Sequence, residues 1–185
     1  MTPEHLSSRR RRARVALVAM AVGGAMALGG CAPTPAPDPT PTPLFASEEE
    51  AFAAAEATYR AYIDAASSLE ITNPDSFQAV AEVTTGTVQS DERKSFSEMR
   101  AAGAVQNGNV TVVWFRGLEA STDGFVRAQI CEDVSRITVV DASGASLVSP
   151  TRPPRIAIEF TTVPAPKQSL LIATTTPFSD PSCSE

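Results

Sequence analysis

The chain has 185 residues, the length of one ordinary domain, and its 15 basic and 21 acidic residues give a formal net charge of −6. Beyond residue 14 the basic residues form no patch, which disfavours a nucleic-acid partner. The single histidine is His5, so the rest of the chain has no imidazole for Ser-His-Asp or Cys-His catalysis or for binding a transition metal.

The first thirty residues are arranged like a secretory signal peptide. A basic cluster ending at Arg14 is followed by sixteen residues without a charge, 15–30. The alternative is a permanent transmembrane helix, but this run contains four glycines and is shorter than the roughly 18 to 20 apolar residues that a span needs. Because basic residues before an apolar segment stay inside the cell, we expect whatever follows residue 30 to be exported.

A cysteine motif closes the apolar run. Its last residues, Leu28, Gly29, Gly30 and Cys31, resemble the lipobox of bacterial lipoproteins. The resemblance implies that residues 1–30 are removed and that Cys31 Sγ carries a diacylglycerol with fatty-acyl chains such as palmitate. The protein would then be anchored by lipid on the extracytoplasmic side of the cell membrane, since two acyl chains hold a protein stably. The alternative is a secreted protein whose first cysteine is incidental.

A proline-rich segment separates this cysteine from the rest of the chain. Within residues 31–46, proline occupies every second position from Pro33 to Pro43. Proline fixes φ and has no N–H donor, so we expect an extended linker and no packed structure there. Beyond residue 30 the chain has ten basic and twenty acidic residues, a net charge of about −10. Contact with the membrane is therefore expected through the lipid alone.

A long helix is predicted at the start of the folded domain. This domain is assigned to 47–185, with packing expected to begin near Leu44. Ser47 and Glu50 form a capping-box pattern, and apolar residues then recur at three- and four-residue spacing. The pattern predicts a helix from 48 to about 68.

Two shorter helices are predicted next. Asn73 followed by Pro74 is typical of a helix start, and this second helix should end before Gly86. A third helix is predicted to begin at Ser90 and to stop at Gly103, because glycine readily adopts the conformation that ends a helix.

The periodicity then changes from helical to alternating. Alternating apolar residues and intervening turns predict four strands, at 110–119, 125–140, 155–163 and 168–176. The second strand is long and is expected to bend or bulge near 132–135. The predicted fold is α+β, with N-terminal helices packed on a curved four-stranded antiparallel sheet.

This order of elements resembles the nuclear transport factor two-like, or cystatin-like, cone fold, as found in small lipoproteins of high-GC Gram-positive bacteria. The resemblance covers about residues 47–185 and includes the strand segment from Gln129 to Asp133 and the terminal Pro181-Ser182-Cys183. It implies a pocket between the helices and the concave face of the sheet. It does not imply one activity, because this fold hosts isomerases, cyclases, dehydratases and binding modules.

Two cysteines remain once Cys31 is set aside. Cys131 and Cys183 are an even pair in a chain expected to reach an oxidising compartment, and neither belongs to a C-x-x-C motif. These features favour a disulfide between them over the alternative of two free buried thiols.

Several residues are candidates for the expected pocket, as apolar-face aromatics or as carboxylates that burial would turn into a general base. They are Tyr59, Tyr62, Trp114, Asp133, Glu159 and Phe160. Each also has a plainer explanation, since the aromatics suit a core, Asp133 suits a loop hydrogen bond, and Glu159 suits the outside of a strand. No acid and base pair emerges, so no catalytic residue is assigned.

The sequence is consistent with two hypotheses about function. The favoured one is a non-catalytic domain that binds a protein, a cell-wall component or a small apolar ligand. The other is an isomerase- or cyclase-like enzyme with a buried carboxylate. A pocket that buries Asp133 or Glu159 would favour the enzyme, and one filled by Tyr59, Trp114 and Phe160 would favour the binding domain. We expect no metal and no other cofactor, because the chain lacks metal-ligand spacing and a Gly-rich phosphate loop.

Overall fold

A computed structural model describes residues 43–167 and 169–184, so the predicted signal peptide, Cys31 and the predicted linker up to residue 42 lie outside the described residues. Three α-helices come first and six strands follow, with a short 3₁₀ helix before the second helix and another at the end. The helices are α1 (Glu48–Ser67), α2 (Gln78–Ala81) and α3 (Gly86–Ala101), and the 3₁₀ helices are Pro74–Phe77 and Pro181–Cys183. The strands are β1 (Val105–Asn107), β2 (Thr111–Ala120), β3 (Val126–Asp133), β4 (Thr138–Val140), β5 (Arg155–Ala165) and β6 (Ser169–Phe178).

Helix α1 begins where its capping residues predict. The Glu50 backbone N–H donates to Ser47 Oγ at 3.3 Å, and the Glu50 carboxylate accepts from the Ala46 backbone N–H at 2.7 Å. One stripe of the helix is buried against the sheet, and it includes Tyr59 and Ile63. In the part of the chain that the structure describes, no helix is both long enough and apolar enough to cross a membrane.

Helix α3 begins four residues earlier than predicted. It starts at Gly86, so the prediction of a start at Ser90 is wrong. The physical reason is the extra turn, which buries Val88 in the main core beside α1 and the sheet. The predicted end at Gly103 is confirmed, because Gly103 has a φ of +61° and the Ala104 N–H donates to the Met99 carbonyl at 2.9 Å.

The main sheet is a four-stranded antiparallel meander in the order β2-β3-β5-β6. Helices α1 and α3 lie on one side of it, which we call the inner face, and the opposite side is the outer face. Alternate residues of β3 are buried on the inner face, as Val126, Ala128 and Ile130 show. This confirms the predicted α+β fold of helices on a four-stranded antiparallel sheet.

The predicted strand over 125–140 is divided into two. β3 ends at Asp133, and β4 begins at Thr138 and pairs with β1 in a separate two-stranded sheet. The Arg152 guanidinium stabilises the segment between β3 and β4, since it donates to the carbonyls of Val134 and Ile137 at 2.9 and 2.8 Å. The sequence predicted a bend in this region, and the chain leaves the main sheet there.

The folded domain starts slightly before residue 47. The backbone N–H groups of Leu44 and Phe45 donate to the Thr122 carbonyl, and Phe45 is buried in the main core. The expectation that packing begins near Leu44 therefore describes the boundary better than the assignment of the linker to 31–46.

The predicted disulfide is confirmed. Cys131 and Cys183 are bonded, with their Cα atoms 5.6 Å apart. Both lie in a small apolar cluster with Ala157, Trp114 and Phe178. The bond attaches the C-terminal segment to the outer face of β3.

Candidate functional site

A cavity of about 240 Å³ lies between the helices and the inner face of the sheet. Its walls come from α1, α3, β3, β5 and β6 and from Val110 just before β2. The polar side chains that line it are Tyr59, Tyr62, Glu92, Glu132 and Thr175.

The alternation of β3 places Glu132 in this cavity. Glu132 follows Val126, Ala128 and Ile130 at two-residue spacing, so it shares their inner face. Its backbone pairs with Val112 of β2 on one side. On the other side it pairs with β5, so Glu132 lies on a central strand. Only 7% of the residue is exposed to solvent.

Burial determines the electrostatics of Glu132. Loss of solvent raises the pKa of its carboxyl, and the negative charge of Glu92 raises it further, while the Tyr59 hydroxyl beside it offsets part of this effect. No ion pair between a described Lys or Arg and Glu132 exists within 4.0 Å. Glu132 is therefore a buried carboxyl group without a cationic partner in the described chain.

Tyr59 fills the interior beside Glu132. Its ring is fully buried and packs against Phe160 with the ring centroids 4.5 Å apart, and against Tyr62 at 5.6 Å with the rings nearly perpendicular. Burial, followed by the charge of Glu132, raises the pKa of Tyr59 well above its ordinary value. The phenol therefore stays protonated and serves as a hydrogen-bond donor.

Tyr62 and Glu92 form the second polar pair of the cavity. The Tyr62 hydroxyl donates to Glu92 Oε1 at 2.5 Å, which joins α1 to α3 across 30 residues of sequence. Burial, and then the charge of Glu92, raise the pKa of Tyr62 far above that of free tyrosine. This phenol is therefore also a permanent donor.

The structure separates the sequence-predicted residues into two groups. Tyr59 and Tyr62 line the cavity, and Phe160 lies in the core behind Tyr59. Trp114 lies in the disulfide cluster, where its indole Nε1–H donates to the Ser182 carbonyl at 3.4 Å, so the expectation that it lines the pocket is wrong. The reason is register, because Trp114 pairs with Cys131 and both residues point to the outer face.

The two carboxylates considered as general bases also lie outside the cavity. Asp133 accepts hydrogen bonds from the Ser135 hydroxyl and backbone N–H at 2.6 and 2.9 Å, which hold its pKa below the ordinary value. Placing Asp133 in the pocket is therefore wrong. Glu159 is on the outer face, where its carboxylate accepts from Gln129 Nε2 at 3.0 Å and lies 3.5 Å from the Arg127 guanidinium.

Sequence reasoning missed both Glu132 and Glu92. The signal for Glu132 was available, since the buried alternation of β3 reaches position 132 and not 133. No comparable signal existed for Glu92, because its partner Tyr62 lies on another helix. Within residues 43–167 and 169–184, no group of three or more His, Cys, Asp or Glu side chains is arranged to hold a metal ion.

Comparisons with known proteins give no family. No family model and no curated protein matches the chain. The chain is similar to the intermembrane space region of the chloroplast protein ARC6, at 16% identity over 70% of this chain and 97% of that chain, with a TM-score of 0.49. It is also similar to Aln2 from a Streptomyces species, at 17% identity over 71% and 91% of the two chains, with a TM-score of 0.44. Likenesses this remote carry no conclusion about function.

Proposed function

We propose that the protein is a membrane-anchored extracytoplasmic lipoprotein whose α+β domain is a non-catalytic binding module. The anchor rests on the lipobox residues from Leu28 to Cys31, which close the apolar run of the signal peptide. The binding module rests on the cavity at the inner face of the sheet.

The packing of this face favours binding over catalysis. The rings of Tyr59 and Phe160, which pack at a tilt, occupy the interior of the domain, and a space of about 240 Å³ remains beside them. This volume is below the roughly 300 to 1,000 Å³ of typical pockets for drug-sized ligands. The two carboxylates first considered as bases, Asp133 and Glu159, are on the outer side. The cavity therefore suits a small ligand.

One observation favours the enzyme as a second candidate. Burial raises the pKa of Glu132, which is the property of a general base or acid in a water-poor site. A direct test is exchange of the α-protons of cyclohexanone in D₂O with the full chain. The enzyme hypothesis predicts exchange faster than in buffer and a return to the buffer rate in the Glu132→Gln variant. We expect no acceleration.

Metabolic labelling with a radioactive fatty acid tests the anchor. We expect label on the wild-type chain and none on a Cys31→Ser variant, which should stay uncleaved or be shed into the medium. The matched control replaces Cys131 and Cys183 with serine and should keep its label, because Cys31 is unchanged. Label retained by the Cys31→Ser variant, or no label on the wild type, would contradict the lipoprotein assignment.

A further inference from the structure

We propose that the cavity binds a small organic cation, an ammonium group on a short apolar body, with Glu132 as the main contact of the charged group. This inference rests on the proposed binding function and adds the chemical class of the ligand. It is carried by the position of Glu132, by the charge of the cavity lining and by the size of the space.

The buried carboxylate of Glu132 is the feature that indicates a ligand. Its carboxylate lines the cavity, yet the residue is 93% shielded from solvent, since only 7% is exposed. Its close polar neighbour is the neutral Tyr59 hydroxyl. A carboxylate has about four lone-pair sites, so one phenol leaves most of its capacity unused. Burying an uncompensated charge is unfavourable, and a bound cation would remove much of that penalty.

The rest of the lining has the same sign of charge. Glu92 adds a second carboxylate from α3, and the cavity is lined by no Lys or Arg among the described residues. The two phenols are donors, and the Tyr62 hydroxyl already donates to Glu92. An anionic ligand would meet two carboxylates at close range, whereas a cation would complement both. The charges therefore select a cation over an anion.

Size and polarity distinguish an organic cation from a metal ion. The space of about 240 Å³ corresponds to roughly eight water-sized groups, at about 30 Å³ for each. Its remaining walls include the aliphatic side chains of Ile63, Val110 and Ile158. A calcium ion takes six to eight oxygen ligands, whereas the phenols here stay protonated as donors, and within the described residues no group of three or more His, Cys, Asp or Glu side chains is arranged to hold a metal ion. A short alkyl chain, in contrast, would fill the aliphatic side of the cavity.

The test is calorimetric titration of the full chain, purified in a nonionic detergent, with butylammonium chloride near neutral pH. 1-Butanol is the matched neutral probe, and sodium chloride keeps the ionic strength equal. We expect saturable binding of butylammonium at least about tenfold tighter than that of 1-butanol. The Glu132→Gln variant should weaken butylammonium binding about tenfold or more and leave 1-butanol unchanged.

Two further variants make the result decisive. Glu98→Gln removes the same charge from an exposed position of α3, where the side chain is 70% exposed, and should bind butylammonium like the wild type. Glu92→Gln should weaken butylammonium binding by a smaller factor than Glu132→Gln. If the Glu132→Gln variant does not fold, the Glu92→Gln variant provides the test of the cation proposal.

Each contrary outcome has a definite meaning. Equal affinity for butylammonium and 1-butanol would overturn the cation proposal but leave a cavity that binds apolar ligands. Equal weakening by Glu98→Gln would overturn it as well, because the effect would then come from net charge alone. Absence of binding for both probes would overturn the cavity as a binding site, while the labelling experiment would still decide the anchor.

Discussion

Glu132 and Asp133 are neighbouring carboxyl groups in opposite environments. Glu132 points to the inner face, where burial raises its pKa. Asp133 points to the outer side, where the Ser135 hydroxyl and backbone N–H, together with the Arg155 guanidinium, hold its pKa low. Successive residues of a strand point to opposite faces of the sheet. The single step from Glu132 to Asp133 therefore moves the carboxyl group from a buried environment to a hydrogen-bonded one at the outer side.

This contrast predicts opposite pH dependences for two isosteric variants. The folded pKa of Glu132 is above its unfolded value of about 4.3, so wild-type stability falls as pH rises from that value through the folded pKa. The Glu132→Gln variant has no carboxyl group to ionise at this position, so it does not lose this stability as pH rises. The free energy of unfolding of the variant, relative to wild type, should therefore increase between pH 4 and pH 8, as urea titrations at both values would show.

Asp133→Asn is the control with the opposite sign. The folded pKa of Asp133 is below its unfolded value, so its contribution is present above about pH 4 and is lost as pH falls through the folded pKa. This variant should lose stability relative to wild type at pH 8 and approach it at low pH. A stability difference for Glu132→Gln that stays constant with pH would contradict the burial argument.

At the scale of elements, the disulfide compensates for a C-terminal segment with little apolar surface. Residues 179–184 are mostly polar, and Cys183 is the buried residue among them. The bond closes a loop of 52 residues, for which the chain-entropy model assigns about 4 kcal/mol at most. The end of the chain is held by this crosslink, by the hydrogen bond from the Trp114 indole to the Ser182 carbonyl and by the pair between Arg116 and Asp180 at 3.2 Å.

Reduction of the disulfide should therefore lower the melting temperature, by up to roughly 16 °C for a domain of this size. Scanning calorimetry of the full chain with and without reductant measures this shift. A variant with alanine at both Cys131 and Cys183 should melt like the reduced protein and should not respond to reductant. An equal melting temperature for the oxidised and reduced wild type would show that the bond contributes no stability.

The elements that sequence reasoning predicted are those with local signals. Helix α1 has a cap and a periodic apolar face, and the strands of the main sheet are eight to eleven residues long, enough to carry a strand pattern. The early start of α3 was missed because Gly86 was interpreted only as a stop for the preceding helix. The pairing of β1 with β4 was missed because each has three residues, too few for a periodic pattern, and their partners are distant in sequence.

For the molecule as a whole, the sequence predicts an acidic domain on a lipid-anchored linker, and the structure adds an acidic cavity to it. The site was only partly predictable. Tyr59 and Tyr62 follow from the apolar face of α1, and Glu132 follows from the two-residue spacing that it shares with Val126, Ala128 and Ile130 in β3. Its combination with Glu92 depends on how α3 packs against α1, which no local pattern specifies.

The central claim is that Glu132 is an ionisable, ligand-facing carboxyl group. The most direct test follows its side-chain carboxyl ¹³C resonance across pH by NMR, with the signal assigned through its loss in Glu132→Gln. We expect a midpoint above the ordinary glutamate value of about 4.3, because Glu132 is buried and lies near Glu92. Butylammonium chloride should shift this midpoint to lower pH relative to an equal concentration of sodium chloride, since a bound cation favours the ionised form. A midpoint at or below that ordinary value, or one that butylammonium leaves unchanged, would contradict the proposed role of Glu132.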